Sequence, residues 1–364
     1  MARLKLENLC KRFGEVRAIN GLTLAIRDHE FFVLLGPTGA GKSTLLRCIA
    51  GLERPESGDV VIDDDRVNDW SAAQRDVALV FQQYSLYPNY TVRQNLEFPL
   101  KSRMRKTSAD EIARRVQKAA ETVRITHLLD RRTDRLSGGE MPRVSIGRAI
   151  VREPRVFLMD EPLSNLDAKL RELLRTELKD LQLRLGATLV FVTHDQVEAM
   201  TMGDRIGVLR QGELVQVGTP HEIYNSPSNT FVAAFVGSPS INLIDATIRS
   251  NRAVVVPGAF EFELGGAVLQ RLATALPPDG KVRVGVRPEN VKLVDGAGIA
   301  GTVYGVENQG VETIVTIDIA GLRLRATIPS VRSVSLNQPV QVALDPERLL
   351  LFNPESGGNL VTAH

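Results

Sequence analysis

Residues 36–43 read Gly36-Pro37-Thr38-Gly39-Ala40-Gly41-Lys42-Ser43, directly after the apolar run 31–35 and directly before a helical run, 44–50. This turn constrains the chain more than any other feature. Glycines let the backbone wrap an anion, and the N–H groups of the turn and of the helix N-terminus then face a phosphate. Lys42 reaches the outer phosphate oxygens, and Ser43 is placed to ligate Mg²⁺. A strand, a glycine-rich turn and a helix in this order form a P-loop and require a buried strand flanked by helices.

The rest of the first part fits that requirement. The runs 77–81, 156–159, 189–193 and 205–209 are short, apolar and bounded by polar residues or glycine, as buried strands are. Between them, 108–123 reads as a helix with Ser108 and Glu111 at capping-box spacing, and 167–185 reads as another, ended by Gly186. Alternation of this kind predicts a largely parallel sheet covered on both sides. Past residue 235 the pattern changes to short alternating runs, with strands expected at 282–286, 313–319, 322–328 and 340–344. Charge thins there too, from 34 basic and 31 acidic residues in the first 235 to 11 and 12 in the last 129. The expected domains are therefore 1–235, α/β, and 236–364, a small all-β barrel-like unit, divided at Gly237-Ser238-Pro239-Ser240.

Composition excludes several classes. A formal charge of +2 gives no electrostatic case for nucleic acid, so no nucleic-acid partner is expected. No apolar run approaches the roughly 18 residues of a membrane span, and residues 1–11 lack the apolar core of a secretory signal. Cys10 and Cys48 make no disulfide framework, and the five histidines lack metal-ligand spacing. A reducing, cytosolic compartment is the expectation. The basic cluster Lys101, Arg103, Arg105 and Lys106 reads as a solvated loop.

Two further motifs carry chemistry. The run 155–162, RVFLMDEP, is an apolar strand ending in Asp160 and Glu161. Beside a P-loop, Asp160 is expected to hold the Mg²⁺ shell and Glu161 to orient and polarise an attacking water. Leu136-Ser137-Gly138-Gly139-Glu140 opens a probable helix 20 residues before Asp160. Ser-Gly-Gly at a helix start is a second anion site, and one ATP has no obvious need of two in one subunit.

At this point the chain resembles the ATP-binding-cassette family, whose signature motif is LSGGQ and whose members complete each site from an opposing subunit. The resemblance implies a P-loop cassette with a helical subdomain at about 88–152. It makes Gln82 the Q-loop residue, near the nucleotide and the metal, and makes Ser164-Asn165-Leu166-Asp167 the D-loop. His194 becomes the switch histidine, and Phe13 takes the place of the adenine-stacking aromatic. ATP and Mg²⁺ are the implied cofactors. Gly36, Pro37, Thr38, Gly39, Ala40, Gly41, Lys42, Ser43 and Thr44 hold the nucleotide, with Asp160, Asp167, Gln82 and His194 around it. Ser137, Gly138 and Gly139 close on the nucleotide of a second copy. Lys42, Gln82, Glu161 and His194 are the implied catalytic set, and Ser43, Gln82 and Asp160 the metal set. Two departures stand out: Glu140 replaces the usual Gln, and Met141-Pro142 replaces a basic or polar pair. A carboxylate near a triphosphate is expected to weaken the closed dimer.

The segments 217–239 and 284–291 look like the carbohydrate-uptake importers, whose ATPases carry an oligonucleotide-binding-like (OB-like), TOBE-type tail. That likeness implies a homodimer on the cytoplasmic face of the membrane, held by two permease subunits and served by a solute-binding protein. The tail is expected to steady the dimer and to be a place for a regulatory protein. Residues 83–90 are expected to face the permeases, with Tyr84 and Leu86 as contacts. Importers of sulfate, polyamine or iron share the tail, so the solute stays open. A soluble cassette protein acting on DNA or ribosomes usually has a coiled-coil insertion or tandem cassettes, which this sequence lacks. A small-molecule kinase would leave LSGGE, Gln82 and His194 unexplained.

Overall fold

The computed structural model describes residues 2–101, 107–249, 252–272 and 276–361. Arg103, Arg105 and Lys106 of the basic cluster lie outside the described residues. The chain divides into two compact units, Met1–Pro220 and His221–His364.

The first unit runs β1 Leu4–Phe13, β2 Val16–Ile26, β3 Phe31–Leu35, α1 Lys42–Ala50, β4 Ser57–Ile62, β5 Asp65–Arg66 and β6 Val77–Val80. Then follow α2 Val92–Glu97, α3 Ala109–Thr122, α4 Glu140–Ile150, β7 Val156–Asp160, α5 Ala168–Leu185, β8 Leu189–Thr193, α6 Gln196–Met202, β9 Arg205–Arg210 and β10 Glu213–Gly218. The central sheet has the order β10-β9-β3-β8-β7-β6, parallel except for the β9–β10 hairpin. Its inner strands are buried on both faces; all five residues of β3 and of β8 are buried. A separate antiparallel sheet, β2-β1-β4-β5, was not expected from the sequence. The polar residues alternating through β1 give it one solvated face, so it lacks the continuous apolar run that marks a parallel strand.

The two helices expected from their caps form at the expected places. Ser108 Oγ accepts from Glu111 N–H at 3.3 Å, and Asp167 Oδ1 accepts from Leu170 N–H at 3.0 Å. Gly186 ends α5 in the left-handed region, φ 56°. The reciprocal half of the expected capping box at Ser108 is replaced, because the Glu111 carboxylate pairs with Arg114 and Arg115 instead. Helices α2, α3 and α4 pack on one another. They form the helical segment between β6 and β7.

The second unit holds two antiparallel sheets. One has the strand order Phe260–Glu263, Ala253–Val256, Asn242–Arg249, Lys281–Val286, Leu350–Phe352. The other has Val291–Val294, Pro339–Leu344, Ile299–Asn308, Glu312–Ile319, Leu322–Pro329. Their inward residues, including Ile244, Val284, Val303, Val315 and Leu351, make one apolar core. The compact unit also takes in residues 221–235. Arg287, 4% exposed, donates to the carbonyls of Tyr224 at 2.7 Å, Ala233 at 3.0 Å and Val236 at 2.5 Å. Its guanidinium also lies 4.0 Å from the centre of the Tyr224 ring, so helices Pro220–Asn225 and Thr230–Phe235 are tied to the sheets.

Candidate active site

Strand order brings the motifs together. Adjacent strands β3, β8, β7 and β6 run parallel, with Leu35 opposite Thr193, Asp160 opposite Val192 and Val80 opposite Met159. The residues that follow these strands therefore emerge side by side: the P-loop, His194, Glu161 and Gln82. Ligand sites of open parallel sheets lie at these carboxyl ends.

The P-loop is built from positions where only glycine fits. A Cβ on Gly36 would stand 2.5 Å from the Leu209 carbonyl oxygen, and one on Gly41, φ 103°, would stand 2.1 Å from that of Ala18. Gly41 is the N-cap of α1, so no side chain covers the helix N-terminus. Lys42 is 5% exposed; its Nζ donates to the carbonyls of Gly36 at 2.9 Å and Pro37 at 3.0 Å and lies 3.5 Å from Glu161 Oε1. Burial lowers the Lys42 pKa, against the pull of Glu161 and Asp160. Ser43 Oγ donates to Asp160 Oδ1 at 2.9 Å. Burial raises the Asp160 pKa, Ser43 opposes that, and the nearby Glu161 adds to it.

Glu161 has φ 45°, a left-handed conformation costly for a non-glycine residue. Its N–H donates to the Val192 carbonyl at 3.1 Å, and its Oε2 lies 2.9 Å from His194 Nδ1. Gln82 Nε2 donates to Ser164 Oγ at 3.2 Å, and Ser164 Oγ donates to the Glu161 carbonyl at 2.9 Å. Asn165 Nδ2 donates to the Gln82 carbonyl at 3.3 Å. Ser164 and Asn165 belong to the segment that the resemblance makes the D-loop. The spacing of the motifs does not encode these contacts.

Phe13 is 47% exposed at the end of β1, with Lys11 Nζ 4.8 Å from its ring centre, so it is a surface aromatic and not core. Asp167 is occupied as the N-cap of α5. Ser137, Gly138 and Gly139 stand at the start of α4, on the helical segment, where a Cβ on Gly139 would meet the Leu170 side chain at 2.7 Å. Glu140 is turned back on its own loop: Oε2 accepts from Ser137 N–H at 2.7 Å, and Oε1 meets Arg131 at 3.3 Å. The Ser137 N–H and then Arg131 hold its carboxyl below the usual range. Glu140 is thus paired within its own loop. Pro142 sits in the first turn of α4, where its missing N–H costs nothing, and the helix runs on to Ile150.

Tyr84 corrects an expectation. It is only 7% exposed, and its ring is not offered as a contact; Tyr87 and Tyr90 are the exposed aromatics of the segment, at 37% and 38%. Cys48 is fully buried, with its thiol pushed up to about 11, chiefly by burial.

A phosphate-binding turn, a buried lysine, and a serine–aspartate pair next to a glutamate–histidine pair define a P-loop nucleoside-triphosphatase fold. Family comparison narrows the class. A model described as ABC transporter matches residues 19–164, one described as MalK OB fold domain matches 237–291, and a TOBE domain model matches 284–352. The chain is 44% identical to the trehalose/maltose import ATP-binding protein MalK of Thermococcus litoralis, over 98% of this chain and 99% of that one. It is also 44% identical to the sn-glycerol-3-phosphate import ATP-binding protein UgpC of Ruegeria pomeroyi, with the same coverage of 98% and 99%. Among solved structures, a dimeric ATP-binding cassette in a post-hydrolysis state with ADP and Pi is 35% identical. Its TM-score is 0.53, over 60% of this chain and 98% of that one. The chain belongs to the ABC transporter family, as an ATPase cassette followed by an OB-like, TOBE-type unit.

Proposed function

We propose that this chain is the ATP-hydrolysing subunit of an importer and drives uptake of a sugar, polyol or sugar derivative through separate permease subunits. The observation that carries the ATPase part is the convergence of Lys42, Ser43, Gln82, Asp160, Glu161 and His194 at the ends of four adjacent parallel strands. The solute class rests on the relatives, named as importers of trehalose/maltose, sn-glycerol-3-phosphate and sulfoquinovosyl glycerol.

Oxygen ligands suit Mg²⁺, and Ser43 Oγ beside Asp160 Oδ1 supplies such a pair, while the Gln82 amide reaches Ser164 in the turn after Glu161. The ion would neutralise charge on the β- and γ-phosphate oxygens. Lys42 supplies a buried positive charge to the same oxygens. Glu161 accepts a proton from the attacking water, whose oxygen bonds to the γ-phosphorus as the bond to the β–γ bridging oxygen breaks. His194 holds Glu161 and is the group assigned to steady the γ-phosphate. Phe13 offers a ring face to the adenine.

Ser137-Gly138-Gly139, set on a different segment from the P-loop, supports a head-to-tail homodimer in which each copy closes the other's site. The dimeric cassettes among similar structures agree with that reading. Near the segment that follows Gln82, a groove of about 600 Å³ is lined by Leu79, Phe81, Tyr87, Phe98, Pro99 and Arg148. We read it as an apolar seat for a permease segment, with the chain a peripheral subunit at the cytoplasmic face. Among the described residues no helix is long and apolar enough to cross a membrane. A solute-binding protein completes the system. The second unit steadies the dimer and offers a surface to a regulator; deletion after Pro220 then weakens self-association in equilibrium sedimentation.

The test is reconstitution with the permeases. A charged residue at Tyr87 or Tyr90 is expected to lower ATP-driven uptake. Undiminished uptake in both variants would contradict the seat, and absence of any ATP-driven uptake of sugars or polyols would contradict the solute class.

A further inference from the structure

Two turns meet behind Glu161. One is the loop 164–167, which Asp167 joins to α5. The other is Thr193-His194-Asp195, between β8 and α6. Arg171, in the first turns of α5, spans them: Nη2 donates to the Leu166 carbonyl at 3.1 Å, and Nη1 reaches Asp195 Oδ2 at 3.5 Å. Its buried Nε has no hydrogen-bond acceptor and lies 4.0 Å from Glu198 Oε1.

Glu198, 3% exposed on α6, is the anchor on the other side. Its Oε2 accepts from Thr193 Oγ1 at 2.5 Å, and that hydroxyl accepts from Asp195 N–H at 2.9 Å. The backbone on both sides of His194 is therefore tied to one guanidinium–carboxylate group, while the His194 side chain itself is 52% exposed. Together with Glu161 and Ser164 these groups enclose only about 20 Å³. A buried carboxylate needs compensation by charge and hydrogen bonds. Here one compensating contact comes from Thr193, in the turn that carries His194, and the other from Arg171 on α5, which itself reaches Asp195 of that turn.

We propose that Arg171 and Glu198 are a positioning pair that sets the His194 imidazole against Glu161 and so governs the hydrolytic step. This rests on the ATPase reading above. The hydrogen bonds of Lys42 and Ser43 go to Gly36, Pro37 and Asp160, not to this pair, so the pair acts on turnover and leaves nucleotide affinity alone. The 4.0 Å separation exceeds hydrogen-bond length by about 1 Å.

The experiment measures steady-state ATP hydrolysis and binding of a fluorescent ATP analogue by the full chain and by R171M, E198Q, R171M/E198Q and R171K. Misplacing the imidazole is expected to lower kcat roughly tenfold or more in each of R171M and E198Q. Analogue affinity stays at the wild-type value. The double variant falls no further than the worse single one, because either change breaks the same unit. R171K recovers part of the loss, since it keeps the charge and loses the fork. Wild-type kcat in both single variants, losses that multiply in the double variant, or a loss seen in affinity and not in kcat would each overturn the pair. Should R171M fail to fold, E198Q and R171K decide by the same criteria. A full chain that hydrolyses no ATP overturns the ATPase reading and the pair with it. An active chain whose variants match it overturns the pair alone.

Discussion

The two units bury charge for different ends. In the first, buried or nearly buried Lys42, Asp160, Glu161 and Glu198 gather at the carboxyl ends of a parallel sheet, where strand order forces them together. In the second, the buried cation Arg287 is taken up by three carbonyls and a tyrosine ring of its own unit. Arg75 of the first unit, 1% exposed, resembles Arg287: it donates to the carbonyls of Cys48 at 2.7 Å and Ile49 at 2.9 Å, at the end of α1. A buried charge is thus no sign of chemistry by itself. What separates the cases is that Lys42 has a carboxylate, Glu161, 3.5 Å away besides its two carbonyls, whereas the hydrogen bonds of Arg75 and Arg287 go to backbone oxygens.

The contrast can be broken at Asp160. D160N is expected to lower ATP hydrolysis by about 100-fold, measured as phosphate release. It should also stabilise the chain at pH 7, because burial raises the Asp160 pKa and the ionised carboxylate therefore opposes folding. That gain shrinks as pH falls through the raised value and is gone below the ordinary aspartate pKa of about 3.9. A melting temperature for D160N that does not exceed wild type at pH 7 would contradict the assignment.

R75M and R287M sharpen the comparison. Each strands buried carbonyls and is expected to cost about 3 kcal/mol in denaturant unfolding. R75M should also weaken nucleotide binding, because it loosens the end of the P-loop helix, while R287M should leave ATP hydrolysis by the isolated chain unchanged. Equal effects on nucleotide binding would erase the distinction. The smallest effect is expected at the surface: F13A should weaken ATP binding by about 1 kcal/mol, roughly fivefold, in a titration with labelled nucleotide.

Much of the first unit was legible in the sequence because its strands are continuous apolar runs and its helices carry explicit caps, Ser108, Asp167 and Gly186. The P-loop was equally plain, since it needs glycine at fixed positions. The sheet β2-β1-β4-β5 was less so, and the strands Ala253–Val256 and Phe260–Glu263, four residues each, are too short to establish a period. The Ser164, Arg171 and Glu198 contacts had no sequence signal; they depend on which strands neighbour one another. The same holds for Tyr84, buried by tertiary packing in a segment whose other aromatics are exposed, and for Arg287, which reaches back more than 50 residues.

The most direct measurement is phosphate release at saturating Mg·ATP by the full chain and by E161Q, with ATP binding measured in parallel. Removing the proton acceptor is expected to slow turnover by about 10²- to 10⁴-fold while ATP binding persists. Turnover in E161Q equal to wild type would contradict the claim that the strand-end cluster around Glu161 performs the hydrolysis.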